Sequence, residues 1–184
     1  MPFTARLWRV TMGAGLWLAL AALPASAAVN TYMKIEGAKQ GPFKGEGTRK
    51  GGNQWIPVVS IAYAVQSPRD AATGQASGKR QHKPIKITKE WGAASPQLQR
   101  ALADNEVLRE VVIEFVRPGP RGQEEVYRTV TLTNAVVSGI ERPRGGAAGR
   151  DPHEIEEISF TFQKIEVTNS IGKTTATDDW LNSK

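Results

Sequence analysis

Two histidines, His82 and His153, and no cysteine are available to this 184-residue chain for metal or thiolate chemistry. A zinc site needs three or four His, Cys or carboxylate ligands at close spacing, and neither histidine has such neighbours. Both lie in polar stretches and are expected to be exposed or hydrogen-bonded locally. No Ser-His-Asp or Cys-His arrangement stands out, and no G-x-S-x-G turn occurs. Two stretches mimic phosphate loops. Gly172-Lys173-Thr174 ends like one, but Val167 stands where the leading glycine is required. Gly74 to Arg80 has the wrong spacing, with Arg80 in place of the hydroxyl. Glu154, Glu156 and Glu157 could suggest acid–base work, yet Glu154 and Glu156 read as the solvated face of a strand, with Ile155 and Ile158 covered. The basic run Lys79, Arg80, Lys83, Lys86, Lys89 could suggest a nucleic-acid surface. Such a surface needs stacking aromatics among its charges, and only Trp91 is near, so a solvated edge is the preferred reading. No catalytic, cofactor-binding or metal-ligating residue is assigned.

The elements that carry these residues are mostly strands. Tyr32 to Ile35 reads as the first. Gly37 to Asn53 follows as a long extended loop with six glycines, one proline and little apolar content. Loops beyond about 12–15 residues in compact domains usually bind something or are disordered. Trp55 to Val65 is a strand with Pro57 at its start or on an edge. Ser67 to Gln81 is a polar loop, and Pro84 to Lys89 a strand with Ile85 and Ile87 on one face. Ser95-Pro96 is a cap residue followed by proline, opening one helix that ends near Asn105, with Leu98, Ala101 and Leu102 on its apolar face. Glu110 to Val116 and Glu124 to Asn134 form a hairpin, and strand character continues through Ile140. Arg142 to Arg150 is a mobile Gly/Arg loop. Glu154 to Thr168 is the longest strand signal. Its apolar phase moves from Ile158, Phe160 and Phe162 to Ile165 and Val167, which predicts a β-bulge near Gln163-Lys164. Ile171 to Trp180 holds a last short strand. The fold class is therefore mainly β: an antiparallel β-barrel of two packed sheets with one flanking α-helix.

Length allows one domain with a real core, and nothing here needs disulfide staples. Arg6 and Arg9, an apolar run to Leu23, Pro24 and Ala25-Ser26-Ala27 form the three-part pattern of a secretory signal. The expected organisation is a signal peptide over 1–27 and one barrel domain over 28–184, secreted or periplasmic, with no stable membrane anchor after cleavage. Beyond that signal the charge is uneven, +8 from Ala28 to Arg100 and −4 from Ala101 to Lys184. A bipolar chain suits head-to-tail self-association.

The run from Gly74 to Glu90, followed by Ser95-Pro96-Gln97-Leu98, resembles the Hcp family, the tube proteins of the bacterial type VI secretion system. Tyr32 to Gly37, Ile158 to Ile165 and Thr177-Asp178-Asp179-Trp180 agree in order. The resemblance implies hexameric rings that stack into a tube, effectors carried in the lumen, sheath and spike proteins as partners, and no cofactor. The chain stops four residues after Trp180, so a toxin extension is not expected. By analogy, Lys39, Gly41, Lys44, Gly47, Arg49, Lys50 and Gly52 would form a ring-stacking loop. Lys79, Arg80, Lys83, Glu154 and Glu156 would be subunit-contact charges. The signal pattern departs from the family, whose tube is built in the cytoplasm; cytoplasmic assembly then holds only if the signal is unused. The rival readings are an exported binding module on the same barrel and, third, a nucleic-acid-binding barrel.

Overall fold

A computed structural model of the chain describes residues 30–47, 52–142 and 154–181. The signal segment 1–27, Arg49, Lys50, His153 and all of the Arg142–Arg150 loop beyond Arg142 lie outside the described residues.

The strands are β1 (Asn30–Gly37), β2 (Gly41–Pro42), β3 (Ile56–Val58), β4 (Ser60–Ala62), β5 (Val65–Gln66), β6 (Gln81–His82), β7 (Ile85–Glu90), β8 (Val107–Pro118), β9 (Glu124–Glu141), β10 (Ile155–Thr161), β11 (Lys164–Asn169) and β12 (Thr174–Asp179). Among the described residues there is one helix, α1 (Ser95–Ala103), which packs against β9. All strand pairs are antiparallel, along the path β2-β1-β8-β9-β10-β7-β4, with β11 on β9 and β12 on β11. The ladder does not run unbroken around the barrel. Its ends meet at residues 56–62, where β3 pairs with β1 and β4, two residues on, pairs with β7. Pro57 sits on β3, whose one partner is β1, so its missing N–H costs no ladder bond on a second side.

Alternation along the strands builds the core. Met33 and Ile35, Ile85 and Ile87, Ile113, Leu132, Ile158 and Phe160 all point inward and are fully buried. The long strands change face together at one row. Inward residues are Leu108 then Val111 on β8, Leu132 then Ala135 on β9, and Phe160 then Ile165 across β10 and β11. Asn134 lies at this row with φ 49°, a left-handed conformation, and its amide donates to Gln163 Oε1 at 2.9 Å. This corner turns one layer into the other. It also corrects the bulge expected at Gln163-Lys164. Pairing with β9 keeps one register across Phe162-Gln163, from Thr161 with Val136 to Lys164 with Thr133. The phase shifts because β9 flips as well; the register shift itself lies between Ser159 and Phe160.

Two further expectations change. The N-cap of α1 is Ala94, with Ser95 the first helical residue and Pro96 next, and no side chain caps the helix. Asn105, just past the helix end, takes φ 46°, as asparagine tolerates better than most residues. Within the segment expected as a loop over Gly37–Asn53, the described residues 37–47 are fastened to the body. Phe43 is fully buried in the core, Phe43 N–H donates to Ile35 O at 3.0 Å, and Gly47 N–H donates to Trp55 O at 2.7 Å. A Cβ at Gly45 would collide with the Trp55 backbone, so this ribbon can lie flat only with glycine there.

Candidate functional site

Among the described residues three polar clusters and two surface features are the candidates. In the first cluster, Lys89 and Glu156 are cross-strand partners on β7 and β10, on the same inward faces as Ile87 and Ile158. Lys89 is 1% exposed and Glu156 0%. Lys89 Nζ donates to Glu156 Oε1 at 2.9 Å, to Ser95 Oγ at 3.0 Å and to Glu90 O at 2.5 Å. Ser95 Oγ donates to Glu156 Oε1 at 2.5 Å and accepts from Gly92 N–H at 2.9 Å. Arg142 Nε closes the set on Glu156 Oε2 at 3.3 Å. Burial alone would raise the Glu156 pKa, but hydrogen bonds from Ser95 and Lys89 and the nearby cations hold it below the ordinary value. Every ammonium proton has an acceptor, so the pair is a structural pin between sheet and helix.

This overturns the solvated reading of Glu156 and of Lys89. Glu156 has the parity of Ile158 and Phe160, which was the available signal. Glu154 is exposed, as expected.

In the second cluster, Asp178 on β12 accepts a two-pronged bond from Arg80 and bonds His82 Nε2 at 2.7 Å. His82 Nδ1 lies 2.8 Å from Tyr63 Oη. The imidazole stacks on Tyr63 and meets the edges of Phe162 and Trp180, at centroid distances of 5.9, 5.5 and 5.2 Å. A hydroxyl, an imidazole and a carboxylate in line look like a relay. The Asp178 carboxylate is, however, taken up by the Arg80 guanidinium as well. Burial first, and then the Asp178 charge, push the Tyr63 phenol up. Bonds from Arg80 hold the Asp178 carboxyl low. The cluster is a clamp that ties β12 to the base of the β5–β6 hairpin. His82 is thus hydrogen-bonded, but to residues far away in sequence. Arg80, expected as a subunit-contact charge, is committed within its own chain.

The third cluster is centred on Glu106, a buried carboxylate that sequence reading did not single out. It accepts Lys39 N–H at 2.6 Å, Gln40 N–H at 2.8 Å and Gln40 Nε2 at 2.8 Å, fixing the β1–β2 turn. Burial would raise its pKa, but these bonds from Gln40 and Lys39 keep it low. Gly37 has to lack a Cβ, which would press on Glu106 Oε1. Lys39, Gly41, Lys44, Gly47 and Gly52 therefore belong to a ribbon fastened to the body, with Lys44 N–H donating to Gln97 Oε1 at 2.8 Å.

The basic run is dispersed as well. Arg80 pairs with Asp178, Lys86 pairs with Glu157 at 2.5 Å, and Lys89 is inside. Lys79 and Lys83 lie at the surface. Among the described residues no three His, Cys, Asp or Glu side chains are grouped to hold a metal ion.

Two surface features remain. The segment expected as a polar loop, 67–81, is a projecting hairpin. Its base pairs Val65 with His82 and Gln66 with Gln81, and Arg69 bridges to Ala76 further out. Asp70 Oδ1 orders the tip by accepting from Ala72 N–H at 3.1 Å and Thr73 N–H at 2.8 Å. Nearly every residue from Ala64 to Lys79 is exposed. The second feature is a cleft of about 300 Å³ between Glu46, Pro57, Val59, Glu90 and Trp91. Its apolar walls are open, with Val59 62% and Trp91 51% exposed.

Comparison with known proteins gives a consistent picture. A family profile described as "Type VI secretion system effector, Hcp" matches residues 32–168. The "Major exported protein" of Pseudomonas aeruginosa is 33% identical over 167 residues, covering 83% of this chain and 96% of that protein. The solved "Crystal structure of Hcp protein" superposes with a TM-score of 0.75 at 29% identity, over 82% of this chain and 99% of the other. "Secreted protein Hcp3 from Pseudomonas aeruginosa" gives a TM-score of 0.68 at 30% identity, over 83% and 99%.

Proposed function

The chain belongs to the Hcp family of type VI secretion proteins, and from that premise we propose that six copies close into a ring and that rings stack into a tube. The family is one of structural tube proteins, not of enzymes. What carries the reading is extent: the match runs over residues 32–168, from β1 to β11, and takes in the Lys89–Glu156 and Glu106 clusters, not one motif. Arg80 and His82 meet Asp178 and Trp180, and Lys89 meets Ser95, so the stretches that resemble the family also touch one another. A ring is a closed heterologous contact and a stack an open one, and both need unlike surfaces on each copy. The exposed arm 64–79 suits the open contact better than the fastened ribbon over residues 37–47 does. Sheath, spike and effector proteins are the further partners this reading entails.

Native mass spectrometry of the purified chain is expected to give six subunits, and concentrated samples should show tubes in electron micrographs. A monomer at high concentration rejects the ring and favours an exported binding module.

Export is the second part of the reading. The first 27 residues act as a cleaved signal. Protein recovered from the periplasm or medium should begin at Ala28; an intact Met1 in the cytosol alone would reject the signal.

A further inference from the structure

The cleft beside Trp91 is assembled from three separate elements, and the backbone fixes each wall. Glu46 comes from the ribbon, where Gly47 N–H donates to Trp55 O at 2.7 Å. Pro57 and Val59 come from β3 and its junction with β4, where Val59 N–H donates to Thr88 O at 2.8 Å. Glu90 ends β7 and Trp91 follows it, with Trp91 N–H donating to Glu154 O at 2.7 Å. The Glu46 carboxylate also accepts from Ala93 N–H, which ties the ribbon to the turn after Trp91.

The lining is of one kind. An indole, a proline ring and a valine form the walls, and two carboxylates accompany them. No lysine, arginine or histidine stands among the described lining residues. Trp91 and Val59 are exposed together here, not singly.

We propose that this cleft binds the side chain of an arginine presented by another protein. A guanidinium answers both parts of the lining: its flat face stacks on an indole, and its edge donates paired N–H bonds to carboxylates. An ammonium answers the charge without the flat stacking, and an apolar side chain answers the walls alone. The cleft volume of about 300 Å³ is at the small end for ligand pockets, which suits one long side chain and not a helix. The walls are held before binding, so little order is lost when the side chain enters. Most described arginines of this chain are already committed. Arg80, Arg100, Arg117 and Arg142 are paired with carboxylates of their own chain, and Arg128 lies over Phe115. The arginine is therefore assigned to a different protein. The site belongs to a single copy, so it stands apart from the ring and the tube.

Fluorine NMR of the full chain with fluorinated tryptophan tests this, with the Trp91 signal identified through Trp91→Phe. The probes are the blocked peptide acetyl-Gly-Ala-Arg-Ala-Gly-amide and its citrulline and norleucine counterparts. The arginine peptide should shift the Trp91 signal saturably, with a Kd on the order of 1 mM. Citrulline, of the same shape without the charge, should bind about tenfold more weakly, and norleucine no better than citrulline. Glu46→Gln keeps an oxygen for Ala93 N–H and removes a charge, so it should weaken the arginine peptide about fivefold with Tm unchanged. Equal binding of arginine and citrulline overturns the guanidinium assignment, and the lack of any saturable shift overturns the site. If the Trp91 signal moves when the chain alone is diluted, a second copy fills the cleft and the assignment to another protein fails.

Discussion

Glu156→Leu is expected to destabilise the fold by about 3–5 kcal/mol, because it strands Lys89 as an unpaired buried charge. For a domain of this size that is roughly 10 °C in Tm. The double variant Lys89→Met/Glu156→Leu should recover most of the loss, since both charges leave together and two apolar side chains fill the space. Thermal unfolding followed by circular dichroism checks both arms; a single variant within 2 °C of the parent would show that the pin carries little.

The same group sets part of the acid limit. Its folded pKa lies below the ordinary 4.5. Its contribution is therefore complete above the unfolded value and is lost as pH falls through the folded one. Glu106 and Asp178 are held low too and drain in the same acid direction, so acid unfolding should be steep below about pH 4.5. In the double variant the Glu156 share disappears and the stability–pH curve flattens there, without becoming flat.

Phe43→Ala is expected to cost about 3–5 kcal/mol, as for other fully buried aromatics cut back to a methyl. The effect should be concentrated. Phe43 is the anchor of the ribbon whose other ties are the Gly45–Asn53 and Gly47–Trp55 backbone bonds. Hydrogen exchange at those amides should rise before the barrel strands lose protection. Uniform exchange across the chain would mean that the ribbon and the barrel open as one.

Phe43 also marks the limit of what the residues disclosed. One aromatic among six glycines reads as loop, because local composition says nothing about the wall of the barrel it meets. The strands with period-2 alternation were legible: Met33 and Ile35, Ile85 and Ile87, and Ile158 and Phe160 all face the core as their spacing demands. So was the change of phase before Ile165, though its cause, a flip shared by three strands around Asn134, needs the pairing to be seen. Charged residues hid best. Glu156 carries the parity of its buried neighbours, but a glutamate inside is expected only when its partner is known, and Lys89 lies 67 residues away. Glu106 follows a helix end with no pattern at all. Ser95 marked the helix start correctly, but its hydroxyl went to the ion pair, not to a cap.

The corner at Asn134 has a bearing on how the molecule comes apart. Because β9 belongs to one layer through Leu132 and to the other from Ala135, neither layer owns a complete set of strands. Melting one sheet removes a strand from the other. The barrel strands are therefore expected to unfold together in a single transition.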